Sequence, residues 1–168
     1  MQTTSDRARL GRRWVVAVLL ALAGATLSAQ TTPRKAPQVL FVCPHGAGKS
    51  VLASAYFQRL AKEKGLNVRV EARGTEPDPH VSPKVADHLT KNGYPIPVET
   101  PQKVTPDDLA SADIVISLGC DVHGLPVRAG TLRQWDEVPG PGEDLAGADA
   151  AIQRRVAALV DELLHQAK

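Results

Sequence analysis

A three-layer α/β sandwich around a central parallel four-stranded sheet is the fold this 168-residue sequence predicts. Three features carry that expectation: uninterrupted apolar runs of strand length, amphipathic helical stripes between them, and glycine-bearing turns where the runs end. Val39-Leu40-Phe41-Val42 is the first such run and reads as a strand buried on both faces. From Ser50 onward, Leu52, Ala53, Tyr56, Phe57, Leu60 and Ala61 recur at three- and four-residue spacing, which predicts a helix ending near Gly65. Val68 to Ala72 is a second short strand. Ser82-Pro83 pairs a capping hydroxyl with a first-turn proline and starts a helix that should reach Asn92-Gly93. Thr105-Pro106-Asp107-Asp108 repeats that signal, with acids on the positive helix end. Asp113 leads into the second strongly buried strand, Ile114 to Leu118, and Leu132 to Val138 has room for a fourth. The last helix is the clearest: Ile152, Val156, Leu159, Val160, Leu163 and Leu164 form one stripe, while Arg154, Arg155, Asp161 and Glu162 face water.

Ahead of the first strand the chain has a different character. Arg7, Arg9, Arg12 and Arg13 precede an uncharged stretch from Trp14 to Leu27, followed by small or polar residues through Ser28, Ala29 and Gln30. This is the layout of a secretory signal peptide over residues 1–29. Fourteen uncharged residues fall short of the roughly 20 needed to span a bilayer, which favours a cleaved signal over the alternative, an uncleaved anchor. The expected location is therefore periplasmic or secreted. Residues 30–37, with Pro33 and Pro37, read as an extended tether, and residues 38–168 as one domain. The whole chain has 20 basic and 18 acidic residues. Without the leader, 16 basic face 17 acidic residues, so the apparent basicity belongs to the export signal and gives no reason to expect a nucleic-acid partner.

In a sheet of this type ligands bind beyond the carboxyl ends of the central strands. There lies Cys43-Pro44-His45-Gly46-Ala47-Gly48-Lys49-Ser50. Two glycines let successive backbone N–H groups curl into an anion-binding nest, and the helix behind adds its positive end. Such a loop suits a tetrahedral oxyanion, with Lys49 adding a full charge. The same field favours a thiolate, which makes Cys43 a candidate nucleophile. The alternative is that Cys43 simply packs at the end of a buried strand.

Over essentially all of the chain that follows the leader, the sequence resembles the low-molecular-weight protein tyrosine phosphatases and the thioredoxin-coupled arsenate reductases that share their fold. Val39-Leu40-Phe41-Val42-Cys43 matches the first strand and nucleophile, and Ser50 the hydroxyl that closes the phosphate loop. Glu71-Ala72-Arg73-Gly74-Thr75 looks like the segment after the second strand, and Asp113 to Cys120 resembles the reductase branch, where a second redox cysteine follows the strand. Trp135-Asp136-Glu137, with Pro139 and Pro141, lies where the family places its general-acid aspartate, which implies Asp136 or Glu137 as proton donor. Cys43, Lys49, Cys120, Asp136 and Glu137 are thus the catalytic candidates, and Pro44 to Ser50 the oxyanion site. A small oxyanion or phosphorylated substrate and an external thiol reductant are the implied partners. Neither cofactor nor metal is expected.

The sequence departs from the family at several positions. Lys49 stands where the family has an arginine, so a point charge replaces a planar fork. Gly46 replaces an asparagine, His45 sits where no imidazole is expected, and Gly140-Pro141-Gly142 carries no tyrosine to stack on an aryl phosphate. A three-thiol relay would need one more cysteine, but Leu125 precedes Pro126 where that thiol is expected. With two thiols the relay ends at a Cys43–Cys120 disulfide opened from outside. The chain also supports a non-catalytic oxyanion-binding or redox-sensing module on the same fold. Lower alternatives are a Walker-type nucleotide loop at Gly48-Lys49-Ser50 and a metal site from Cys43, His45, Cys120 and His123. His80, His88 and His165 read as solvated residues.

Overall fold

The computed structural model describes residues 35–122, 124–128 and 130–167. The expected leader (1–29), residues 30–34 of the tether, and His123 lie outside the described residues. The elements run β1 (Gln38–Cys43), α1 (Lys49–Glu63), β2 (Arg69–Gly74), α2 (Pro83–Lys91), α3 (Pro106–Ser111), β3 (Ile114–Ser117), β4 (Leu132–Gln134) and α4 (Leu145–Gln166). All strand pairs are parallel, in the order β2-β1-β3-β4. The three-layer sandwich with a four-stranded parallel sheet is the architecture observed.

Every residue of β1 is buried, as its apolar run requires. Alternate side chains feed two cores. Val39, Phe41 and Cys43 pack with α1, α2 and α4, whereas Leu40 and Val42 pack with Val115, Leu109, Val104 and Val122 on the α3 side. Phe41 is the hub of the larger core, with its ring centroid 5.9 Å from Phe57 and 5.8 Å from Trp135. Full burial of such a side chain contributes about 2–3 kcal/mol.

The order β2-β1-β3-β4 places the topological switch between β1 and β3, because the chain leaves these neighbours toward opposite edges of the sheet. The two cysteines sit at this switch: Cys43 ends β1, and Cys120 follows β3.

The short fourth strand lies inside the expected Leu132–Val138 stretch: after Gln134, Trp135 N–H donates to the Ser117 carbonyl and the chain turns, with Val138 N–H bonded back to the Trp135 carbonyl. Three local expectations are corrected. Ser82 occupies the N-cap of α2, but its hydroxyl makes no capping bond, and its N–H is committed to the Ala47 carbonyl, 3.0 Å away. His88 is not solvated. Its Nε2 lies 3.1 Å from Asp149 Oδ1 and 3.2 Å from the Tyr56 hydroxyl, which joins α2, α4 and α1. Arg155, expected on a wet helix face, stacks over Trp135 and pairs with Glu137. The Thr105 start signal does form a full capping box with Asp108, and Asp144 caps α4 through Gly147 N–H at 2.8 Å.

Burial opposes the charges of Asp108 and Asp149. Hydrogen bonds from Thr105 and the Arg73 guanidinium to Asp108, and from Tyr56, Gln153 and His88 to Asp149, outweigh it and hold both carboxyls below the ordinary 3.8. A carboxyl depressed in the folded state contributes stability that is complete above its unfolded value and is lost as pH falls through its folded value. The melting temperature should therefore be flat above about pH 5 and fall steeply below about pH 4. Thermal melts between pH 6 and pH 2.5 check this, and Asp149→Asn should flatten the acid limb.

Candidate active site

The turn after β1 is shaped by what holds its carbonyls. Thr75 N–H bonds the Cys43 carbonyl at 3.2 Å, Glu76 that of Pro44 at 2.8 Å, Asp78 that of His45 at 3.0 Å, and Ser82 that of Ala47 at 3.0 Å. Residues 75–82 thus form an outer hoop that draws the loop carbonyls outward. No backbone carbonyl among the described residues accepts the N–H of His45, Gly46, Ala47 or Gly48. Those donors, with the orphan amides that open α1, make the anion nest. Gly48 is the N-cap of α1 and has no side-chain cap, which leaves the positive helix end for a ligand.

Hoop and loop meet backbone to backbone at two glycines. Gly46 has φ +62°, and a Cβ there would lie 2.8 Å from Gly74 N. A Cβ on Gly74 would lie 2.7 Å from Gly46 N and 2.9 Å from the His45 carbonyl carbon. This explains a glycine at the last position of β2. Gly74→Ala is expected to cost about 1–3 kcal/mol and to weaken phosphate binding more than its stability loss accounts for, since the nest must open. Urea unfolding together with phosphate titration checks this.

At the base of the loop the Cys43 thiol donates to Ser50 Oγ at 3.2 Å. Cys43 is 3 % exposed and Ser50 fully buried, yet Cys43 lines a cleft of about 550 Å³ with Pro44, His45, Ala47, Gly48 and Lys49. The opposite wall is Gly140 to Glu143, and Pro141 crowds Gly48, where a Cβ would come within 2.9 Å. Lys84 on α2 pins this wall through the Gly142 carbonyl at 3.0 Å. Cys43 is thus enclosed below and open above.

Lys49 Nζ is 3.3 Å from the Val138 carbonyl and 2.9 Å from the position a Cβ on Gly119 would take. The ammonium lies at the rim, between the end of β3 and the 138–143 wall. Cys120 Sγ is 3.5 Å from both Ser117 Oγ and the Val42 carbonyl, so the second thiol touches the residue that precedes Cys43. Burial pushes the Cys120 thiol up, and Cys43 adds to this, while hydrogen bonds and the Lys49 charge pull the other way. Both thiols are free.

The family model for low molecular weight phosphotyrosine protein phosphatases matches residues 38–137. The chain belongs to that family. Among curated relatives of this phosphatase-family chain, a Halobacterium salinarum protein described as "Putative arsenate reductase" is 31 % identical over 127 residues, 73 % of this chain and 89 % of that protein. Among solved structures, a Corynebacterium glutamicum thioredoxin-dependent arsenate reductase is 30 % identical with TM-score 0.68. The match covers 78 % of this chain and 63 % of the reductase, so this chain spans less than two thirds of that protein. A low molecular weight phosphotyrosine phosphatase from Vibrio cholerae is 25 % identical with TM-score 0.69 over 77 % of this chain and 98 % of that one.

Against this family's phosphate loop, the fold brings Cys43, the residues from Pro44 to Ser50, and Cys120 to one end of the sheet. It does not bring the expected acids to the cleft. Asp136 is exposed and absent from the lining, and Glu137 is paired with Arg155. The carboxyls that line the cleft are Glu143 and Asp78, the latter 3.3 Å from His45 Nδ1. Neither has a motif: each lies in a proline-rich turn, where an acid reads as a turn former. The metal reading has no group of three His, Cys, Asp or Glu side chains among the described residues, and its fourth proposed ligand, His123, lies outside them.

Proposed function

We propose that this protein reduces arsenate with two thiols of its own and one external dithiol. The observation that carries this is the placement of Cys120 beside β1, with its sulfur on the carbonyl of the residue before Cys43. A plain phosphatase has no use for that thiol. The cleft lining also holds no aromatic side chain to stack on an aryl ester, and the arsenate reductases named above share 30 % or more identity with this chain.

Cys43 Sγ attacks arsenic, an S–As bond forms, and an As–O bond breaks, the oxygen leaving as water with a proton from a cleft carboxyl. The loop amides hold the remaining oxygens, while Ser50 Oγ stays on the Cys43 sulfur. Cys120 then attacks Cys43 Sγ: the S–S bond forms, the S–As electron pair passes to arsenic, and As(V) leaves as As(III). Two thiols are oxidised and one arsenate is reduced, so electrons balance, and an external dithiol reopens the disulfide. Cys43 packs on the α1 side of the sheet and Cys120 on the α3 side, so the attack needs residues 119–120 to move past the end of β1. Gly119, at φ +75°, supplies a pivot there.

Arsenite release by the reduced full-length protein with arsenate and thioredoxin tests the reading. Aryl-phosphate hydrolysis without arsenite would replace it with a phosphatase. Phosphate binding with neither activity would select the non-catalytic module, which a point charge at Lys49 in place of a fork favours. Because Glu143 and not Asp136 lines the cleft, Glu143→Gln should lower turnover by about 10²-fold, with Asp136→Asn nearly silent. Steady-state rates of the two variants check this. Export is proposed on the arginine-rich leader, and N-terminal sequencing of the protein from its own cells tests it.

A further inference from the structure

The lysine that replaces the family's arginine is placed where it serves the second thiol. Its side chain is half-buried at the edge of the cleft. It is held against the Val138 carbonyl at 3.3 Å and over Gly119, whose missing Cβ would stand 2.9 Å from Nζ. Gly119 is the residue before Cys120, and with φ +75° it adopts a conformation that glycine takes without strain. A side chain at 119 would occupy the ammonium's seat.

From this geometry we propose that Lys49 is a positioning residue for Cys120, the cation that stabilises the second thiolate as it attacks. The inference deepens the two-thiol reading above and rests on it. The environment of Cys120 explains the need. Burial disfavours the charged form, the Cys43 charge repels it, and the sulfur contacts the Val42 carbonyl, an acceptor that opposes a negative sulfur. Ser117 Oγ lies 3.5 Å from the sulfur but donates its proton to the Cys120 carbonyl at 2.6 Å. Among the described residues, the charged or titratable groups acting on the thiol are Cys43 from β1 and Lys49 from α1, and Asp121 follows it in the chain. Lys49 is the cation of that set. An arginine fork bound to two oxygens of the substrate would be committed to the first thiol's chemistry, whereas a compact ammonium at the rim acts on the second.

The test needs no substrate. In the Cys43→Ser full-length protein Cys120 is the sole cysteine, and its alkylation by iodoacetamide is followed against pH. Lys49→Met should move the midpoint upward by about one pH unit, the lower end of what an opposite charge at close range produces. Lys49→Arg should restore it, because the charge returns whereas a purely structural role would not follow charge. Should Lys49→Met fail to fold, Lys49→Gln serves, and raising ionic strength in the Lys49 protein should move the midpoint the same way. Equal midpoints for Lys49 and either neutral variant overturn the inference. If arsenite release fails while the midpoint still follows Lys49, the function is wrong and the electrostatic pairing stands. If arsenite is released and the midpoint ignores Lys49, the reverse holds.

Discussion

Cys43→Ser is expected to abolish turnover by about 10³-fold or more while leaving phosphate binding and the fold in place. The substitution swaps one small group for another at a position 3 % exposed and bonded to Ser50 Oγ, so packing changes little. The oxyanion is held by backbone amides and a helix end, none of which the substitution touches. What is lost is sulfur. A serine hydroxyl here has no histidine or carboxylate base within the hydrogen bonds of Cys43, so it stays protonated and inert. Arsenate turnover and phosphate titration measured on the same preparation check both halves. A variant retaining a tenth of the rate would remove Cys43 from the chemistry.

Cys120→Ser is the second large effect, and it separates the two enzymatic readings. If Cys120 resolves the adduct, its loss lets Cys43 attack but blocks reduction, and multiple turnover falls on the order of 10²-fold. A small thiol added in excess should restore part of the rate by attacking Cys43 in its place. If the protein is a phosphatase, water resolves the intermediate and the same variant runs near the wild-type rate. Steady-state rates of arsenite release and of phosphate release therefore diverge under one substitution.

Much of this site was legible before any coordinates, for a physical reason. A strand buried on both faces must be apolar throughout, so Val39 to Val42 announces itself, and a glycine-rich turn between such a strand and an amphipathic helix has few uses other than holding an anion. Cys43 and the loop up to Ser50 follow from that local logic. Cys120 was found through resemblance, because a cysteine after a strand has no local signature.

What the sequence hid is tertiary. Asp78 and Glu143 reach the cleft because the hoop and the 138–143 wall fold over it, and nothing within a few residues of either encodes that. Asp136 and Glu137 lie away from it for the complementary reason: β4 ends at Gln134, the chain turns at Trp135, and Arg155 from a distant helix takes Glu137. Ser82 has the residue type of a helix cap, but its N–H is spent on the phosphate loop. His88 looked solvated because its partners Tyr56 and Asp149 are far away in the chain. Each miss is a case where a side chain's partner is set by packing rather than by neighbours.

Peptide mapping of the fully reduced protein after one exposure to arsenate, with no reductant present, tests the two-thiol account most directly. It predicts one Cys43–Cys120 disulfide for each arsenite released, no disulfide with phosphate in place of arsenate, and none in either single-cysteine variant. Arsenite released while both thiols remain free would contradict it.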